Sequence, residues 1–301
     1  MVKSFEEVLK KVKSLDIKKV AVAVAQDEPV LQALMQCKKE GIAEAILVGN
    51  ENEIRKIAEE IGMDLSGYEI IHEENGPKAA LKAVELVSSG KADMVMKGLI
   101  DTANFLRAVL NKEIGLRAGK LMSHVGVFEI PNVDRLIFMT DAAFNMYPDL
   151  KAKIDIVNNS VAVAKAVGIE CPKVAPICAV EVVNPDMPST LDAAMLSKMN
   201  ERGQIKGCII DGPLALDNAL SEEAAAHKNI SGPVAGKADI MVLPNIDAAN
   251  VMYKTLTYTS NSKNGGLLVG TKAPVIVTSR ADSFETKVNS IALAALVASC
   301  K

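Results

Sequence analysis

Four short segments of this 301-residue chain carry side chains suited to binding and orienting oxyanions. The first is Met96-Lys97-Gly98-Leu99-Ile100-Asp101-Thr102, with Arg107 in the helical pattern that follows. An apolar run, a glycine and a helix start leave backbone N–H groups pointing outward, and Lys97 adds positive charge. Asp101 or Thr102 is the natural N-cap. The second is Asp211-Gly212-Pro213-Leu214, directly after the apolar Cys208-Ile209-Ile210, which sets a carboxylate at a strand end. The third is Ser231-Gly232-Pro233-Val234-Ala235-Gly236, whose glycines permit close backbone approach by a ligand. The fourth is Thr278-Ser279-Arg280-Ala281-Asp282-Ser283. There Arg280 offers a planar five-donor fork, Ser279 a hydroxyl, and the start of the next helix a partial positive charge. Each segment alone reads equally well as a capped helix or turn with solvated side chains. Jointly they point to phosphate or another oxyanion as substrate.

Other chemistries find little support. A GxxxxGK[ST] phosphate loop and a GxSxG nucleophile elbow are both absent. The cysteines at 37, 171, 178, 208 and 300 include no CxxC pair, and they read as small core residues of a reduced, intracellular chain. His72, His124 and His227 share no ligand spacing, so no metal site is expected. A net charge of −3 argues against a surface built for nucleic acid or anionic membrane. Aromatics at 3%, with no Trp, leave no stacking platform for single strands. The apolar runs Val20–Ala25 and Ile291–Ala298 are too short to span a bilayer. The opening MVKSFEEVLKKVKSLD places Phe5, Val8, Leu9 and Val12 on one helical face, unlike a signal peptide. A cytoplasmic location is expected.

Ligands of open α/β sheets sit at the carboxyl ends of strands, so these segments need strands that deliver them there. Runs at Val20–Ala25, Ala45–Val48, Tyr68–Ile71 and Ala92–Met96 alternate with helical patterns over Glu28–Glu40, Glu51–Ile61, Pro77–Ser88 and Thr102–Leu110. That rhythm predicts a parallel sheet with right-handed crossovers. Further on, Val125–Ile130 and Arg135–Thr140 flank Pro131-Asn132, an antiparallel hairpin turn. Strands Lys173–Cys178, Cys208–Asp211 and Ile240–Leu243 and helices Asp149–Val167, Thr190–Asn200 and Asp247–Tyr258 follow. Pro274–Thr278 is a strand feeding a last helix, Ser283–Ser299, and Gly/Pro punctuation clusters at Gly115–Gly119 and Lys263–Gly270. The expected fold class is α/β, with two α/β/α lobes. Residues 1–120 with 266–301 form the first lobe and 121–265 the second, with the active site in the cleft between them.

Six segments together resemble the phosphate acetyltransferases and phosphate butyryltransferases. They are MKGLIDTANFLR (Met96–Arg107), TDAAFNMYPDL (Thr140–Leu150), DGPLALD (Asp211–Asp217), SGPVAGKAD (Ser231–Asp239), LPNIDAANVMYK (Leu243–Lys254) and TSRADS (Thr278–Ser283). They occur in the family's order and cover most of the chain. The chain length and the style of TSRADS look more like the butyryl branch. The resemblance implies an isocitrate/isopropylmalate-dehydrogenase-like fold. It implies direct attack of phosphate on an acyl-CoA, butyryl-CoA favoured, in a ternary complex that yields acyl phosphate and CoA. CoA is then a substrate, and no bound cofactor is expected. Phosphate and acyl-CoA are the expected small-molecule partners, and a homo-oligomer is expected, with the apolar helix Asp247–Tyr258 able to serve an interface.

Carried over residue by residue, Ser279 matches a transition-state-stabilising Ser and Arg280 a substrate-binding Arg. Arg107 matches a second Arg of the site, Thr102 a hydroxyl near the ligand, and Lys254 the Lys of a Tyr-Lys pair. Lys97 and Asp211 complete the candidate phosphate and CoA contacts. Two positions depart from the acetyl-type pattern. Thr286 stands where those members carry an Asp as general base, which leaves its acidic neighbour Glu285 as the candidate acid–base. Tyr258 stands where Arg is frequent. The alternative reading is a non-catalytic sensor of the same fold that binds acyl-CoA or acyl phosphate. A metal-dependent decarboxylating dehydrogenase is disfavoured by the lack of clustered Asp ligands.

Overall fold

The computed structural model describes residues 2–279 and 282–300. The chain divides into two compact units, Phe5–Lys120 with Asn264–Lys301, and Met1–Ser4 with Leu121–Lys263.

The chain enters the first unit through α1 (Phe5–Val12), which buries Phe5, Val8 and Val12 on one face. Strand–helix pairs follow: β1 (Lys18–Ala23) with α2 (Glu28–Lys39), β2 (Ala43–Gly49) with α3 (Glu51–Glu60), β3 (Glu69–His72) with α4 (Gly76–Ser88), and β4 (Met94–Lys97) with α5 (Thr102–Val109). The strands lie in the order β3-β2-β1-β4, all parallel. Each of these four helices starts on a side-chain cap, Asp27, Asn50, Asn75 and Asp101 in turn, whose oxygen accepts a backbone N–H of the first turn. Short polar caps after apolar strands therefore fix where each crossover begins.

β1 ends at Ala23, short of the expected Ala25, because Val24 turns to φ 57. A β-branched residue rarely enters that left-handed region, at a cost of about 1–3 kcal/mol. The neighbouring loop holds it there. Gly98 N and Leu99 N donate to the carbonyls of Ala23 and Val24, and a Cβ at Gly98 would sit 2.2 Å from the Val24 carbonyl oxygen.

The second unit begins with the hairpin β5 (Ser123–Glu129) and β6 (Leu136–Thr140), antiparallel as the Pro131-Asn132 turn predicts, with Asn132 at φ 67. Then come α6 (Leu150–Val167), β7 (Lys173–Pro176), α7 (Pro188–Glu201), β8 (Ile209–Ile210), α8 (Leu216–Leu220), α9 (Glu222–His227), β9 (Ile240–Val242) and α10 (Ile246–Thr259). The order is β5-β6-β9-β7-β8, with β6, β9, β7 and β8 parallel. Phe128, Ile137, Met139, Ala175, Leu214 and Met241 belong to its core. The short α8 and α9 are not foreseen from periodicity, since five or six residues hold too little of a 3.6-residue repeat.

Back in the first unit are β10 (Lys263–Val269), β11 (Val275–Ile276) and α11 (Phe284–Ala298). β11 pairs parallel to β4 and antiparallel to β10. The glycines at Lys263–Gly270 read as punctuation in the sequence, yet most of this segment is a buried strand. They are there for close approach. A Cβ at Gly265 would lie 3.0 Å from the Asn289 and Ser290 backbone, and Gly266 N donates to Ser290 Oγ at 2.9 Å. α11 is buried on all sides from Thr286 to Leu296. The expectation that every Cys is a core residue is corrected: Cys37, Cys178 and Cys208 are buried, but Cys171 and Cys300 are exposed.

Candidate active site

β1, β4 and β11 are parallel, with Ala23 paired to Lys97 and Ile276 to Met96, so their carboxyl ends leave the first unit's sheet side by side. Lys97 is only 7% exposed, and its Nζ donates to the carbonyl oxygens of Gly98 (3.2 Å) and Ile100 (2.9 Å). The ammonium is thus folded into its own glycine turn. Asp101 caps α5, accepting from Asn104 N (2.9 Å) and Asn104 Nδ2 (2.7 Å), so Thr102 is the first helical residue, with its side chain at the surface. The backbone N–H of Asn104 and then its side chain hold the Asp101 carboxyl below the usual range. Arg107, exposed one turn further on, donates to Asn104 Oδ1. Asn104 is a residue that the sequence reading misses. Its signal is the spacing 101, 104, 107, which places cap, relay and guanidinium on one helical face.

The loop after β11 carries Ser279, which is exposed. Ser279 N donates to Asp282 Oδ2 (2.6 Å), and Asp282 N donates to Ser279 O (3.1 Å). Arg280 lies outside the described residues. Ser283 caps α11 through Thr286 N at 3.1 Å, and Glu285 is exposed in that first turn. Thr286 is buried, and its Oγ1 donates to Asn264 Oδ1 at 2.6 Å, while Asn289 Nδ2 donates to Asn264 O at 3.0 Å. The Thr286 hydroxyl therefore ties α11 to β10. Lys287, also missed in the sequence, is 2% exposed and donates to the carbonyls of Asp282 (2.8 Å) and Ser279 (3.3 Å). Burial pushes its ammonium below the usual range, against the pull of the Asp282 and Asp27 carboxylates.

In the second unit the parallel strands β6, β9, β7 and β8 present a corresponding edge. Asp211, half-buried just after β8, has its carboxyl pushed up by burial, with the Gly212 N–H opposing. Gly232, at φ 148, lies against it: a Cβ there would stand 2.3 Å from Asp211 Oδ2. The DGP and SGP segments thus meet through a position that only glycine fills. Asp141 is buried and fully engaged. Its Oδ1 accepts from Ala143 N (2.9 Å) and Phe144 N (3.0 Å), and its Oδ2 from Asn145 N (3.2 Å) and Nδ2 (2.6 Å). The segment after β6 also docks on α10: Asn250 Nδ2 donates to Ala142 O (3.0 Å) and Tyr147 OH to Asp247 Oδ2 (2.8 Å). Lys254 and Tyr258 are exposed on α10.

The structure therefore gathers Lys97, Thr102, Arg107 and Ser279 on one edge of the first unit, with Glu285 at the start of the helix behind Ser279. Asp211 and Lys254 follow β8 and β9 of the second unit. Among the described residues no group of three or more His, Cys, Asp or Glu side chains is gathered as a metal-ligand set. No described helix is long and apolar enough to cross a membrane.

The chain matches the family described as phosphate acetyl/butaryl transferase over residues 4–80 and 73–295. It is 73% identical to the phosphate butyryltransferase of Clostridium acetobutylicum over 301 residues, covering 100% of each chain. The crystal structure of a branched-chain phosphotransacylase from Enterococcus faecalis V583 matches with a TM-score of 0.83 at 35% identity, over 94% of this chain and 99% of that one. A 4-hydroxythreonine-4-phosphate dehydrogenase from Burkholderia phymatum shares the fold alone, with a TM-score of 0.55 at 14% identity over 93% and 98% of the two chains. The dehydrogenase-like α/β fold expected from the motifs is the one found. Ordered motifs, fold and end-to-end identity agree, and this chain belongs to the phosphate acetyltransferase and phosphate butyryltransferase family.

Proposed function

We propose that this chain is a phosphate acyltransferase that takes a short-chain acyl-CoA, butyryl-CoA in first place, and phosphate to acyl phosphate and free CoA. The full-length identity with the Clostridium phosphate butyryltransferase carries this reading. In the reaction a phosphate oxygen attacks the thioester carbonyl carbon. The new C–O bond forms, the C–S pair leaves with sulfur, and the thiolate takes up a proton. Negative charge grows on the carbonyl oxygen and must meet donors already in place, each worth ~2.7–4 kcal/mol.

Ser279 and Arg280 are the donors assigned to that oxygen and to phosphate. Arg107, oriented by Asn104, and Thr102 at the α5 start are assigned to phosphate. The buried Lys97 ammonium adds fixed positive charge beneath that loop. Asp211 and Lys254 are assigned to substrate binding. Glu285, exposed beside Ser283, exchanges the proton of the CoA thiol, which is protonated at neutral pH, so that a carboxylate partner is useful in the reverse direction. Thr286 does not serve as that base, since a neutral alcohol takes up no proton at ordinary pH; its hydroxyl instead donates to Asn264. CoA enters as substrate, no bound cofactor takes part, and such a reaction belongs in the cytoplasm. A homo-oligomer is part of the same reading, supported by the outward-facing Val251 (67% exposed) and Tyr258 (70% exposed) of α10.

The test is thiol release from butyryl-CoA by the purified protein, with and without phosphate, followed by a panel of acyl chains from two to six carbons. Phosphate-dependent release, greatest with butyryl-CoA, is expected, since one methylene is worth ~1–3 kcal/mol in a fitted pocket. Absence of phosphate-dependent release from every acyl-CoA overturns the reading.

A further inference from the structure

Lys287 sits in the first turns of α11, a helix buried on all sides from Thr286 onward, and is itself 2% exposed. An ammonium in such a place carries a desolvation penalty of several kcal/mol, and an apolar side chain of similar volume is often at least as stable. Stability therefore gives no reason for a lysine at this position. Its contacts do. The Nζ donates to the carbonyl oxygens of Ser279 and Asp282, the described residues on either side of positions 280 and 281. Those two residues are also tied to each other, by Ser279 N to Asp282 Oδ2 and by Asp282 N to Ser279 O. The charged groups that face the ammonium are the Asp282 carboxylate from the same loop and the Asp27 carboxylate from the start of α2. One buried cation thus ties the loop after β11 to the start of α11, while Asp27 acts on it through charge alone.

We propose that Lys287 is a positioning residue for acyl transfer: by clamping the Ser279 and Asp282 carbonyls it fixes the direction from which the Ser279 hydroxyl meets the reacting carbonyl. This rests on the role given to Ser279 above. Buried as it is, Lys287 acts through the backbone and not on substrate directly. It acts because the Ser279 side chain can turn only about a backbone that Lys287 holds. A donor displaced by about 1 Å can cost on the order of 100-fold in rate while binding is little changed.

The experiment is a double-mutant cycle on the full chain with Lys287→Met, Ser279→Ala and the pair, reading kcat, KM for phosphate and butyryl-CoA, and the thermal midpoint. Lys287→Met is expected to lower kcat by about 100-fold, to leave both KM values near wild type, and to lose most of that effect in the Ser279→Ala background. Lys287→Gln keeps a donor without a buried charge. It should recover part of kcat, and it takes the place of Lys287→Met in the cycle if the latter does not fold. Wild-type kcat in the Lys287 variant, or a loss that multiplies undiminished onto Ser279→Ala, overturns the positioning role. Wild-type kcat in Ser279→Ala instead overturns the reading of the site itself, so the two failures are told apart.

Discussion

The two strand edges hold their charges with different partners. On the first unit the buried amines of Lys97 and Lys287 face carbonyl oxygens of the loops they support, and the exposed Arg107 is steadied by Asn104. Positive charge is there held in place by the backbone. On the second unit the carboxylates Asp141 and Asp239 are buried, and the one buried ammonium among the described residues, Lys153, is paired with the Asp192 carboxylate at 2.5 Å. Asp141 is saturated by the backbone N–H groups and the side-chain amide of the segment that follows it, and Asp211 is left half-buried with its carboxyl pushed up. The lesson is that the first edge pays in desolvation to fix its loops with buried amines, whereas on the second Asp141 shapes a loop and Asp211 is the acid left for the proposed substrate contact. Substitutions that disturb the first edge should therefore fail in rate, and those that disturb the loop packing of the second in stability.

The largest effect expected is from Ser279→Ala, a fall of about 100- to 1,000-fold in kcat for thiol release with little change in thermal midpoint. Unchanged kcat would remove the first edge from the chemistry. Arg107→Ala should follow, with kcat/KM for phosphate lower by roughly 10- to 100-fold, as for loss of a hydrogen bond to a charged group. Gly232→Ala tests the second edge. Its Cβ has no room beside Asp211 Oδ2, and φ 148 is foreign to alanine, so unfolding should become easier by about 1–3 kcal/mol, measured by denaturant titration. Thr286→Val leaves Asn264 Oδ1 without its donor and should cost about 1 kcal/mol of stability while kcat holds. A collapse of kcat there would return the acid–base role to position 286.

Asp211→Asn has the smallest expected effect on stability. Burial raises the folded carboxyl above its unfolded value, so the native state binds the proton more readily. The ionised form therefore destabilises at neutral pH, and this is relieved as pH falls through the folded pKa. The variant should melt slightly higher than wild type at pH 7. The difference should vanish on acidification towards about pH 4, near the unfolded carboxyl. A wild-type advantage at neutral pH would contradict that sign.

Much of the first edge was legible because its signals are local. Asp101 announces a helix start by residue type, and apolar runs before the helical patterns announce strands; the caps Asp27, Asn50 and Asn75 emerge only in the structure. The Pro131-Asn132 turn was legible for the same reason. β10 was hidden because Gly265 and Gly266 serve contact with α11, a partner some twenty residues away that no window reveals. Lys287 was hidden because a lysine on a helix reads as solvated, and only the packing of α11 shows otherwise. The Asp211–Gly232 contact joins two motifs visible separately, but their closeness depends on tertiary structure. Thr286 was visible as a departure from the acetyl-type pattern, while its bond to Asn264 was not.

The place of β11 and α11 in chain order has a consequence for synthesis. β4, already paired with β1, gains its second parallel neighbour only when residues 275–276 have been made, and the first unit its enclosed helix α11 only when residues 284–298 have. The second unit is complete in the nascent chain before either exists. Domains generally fold as units as they emerge from the ribosome. Residues 121–263 can therefore reach their native state while the earlier 116 residues, Phe5 to Lys120, are still waiting for the segment that closes them.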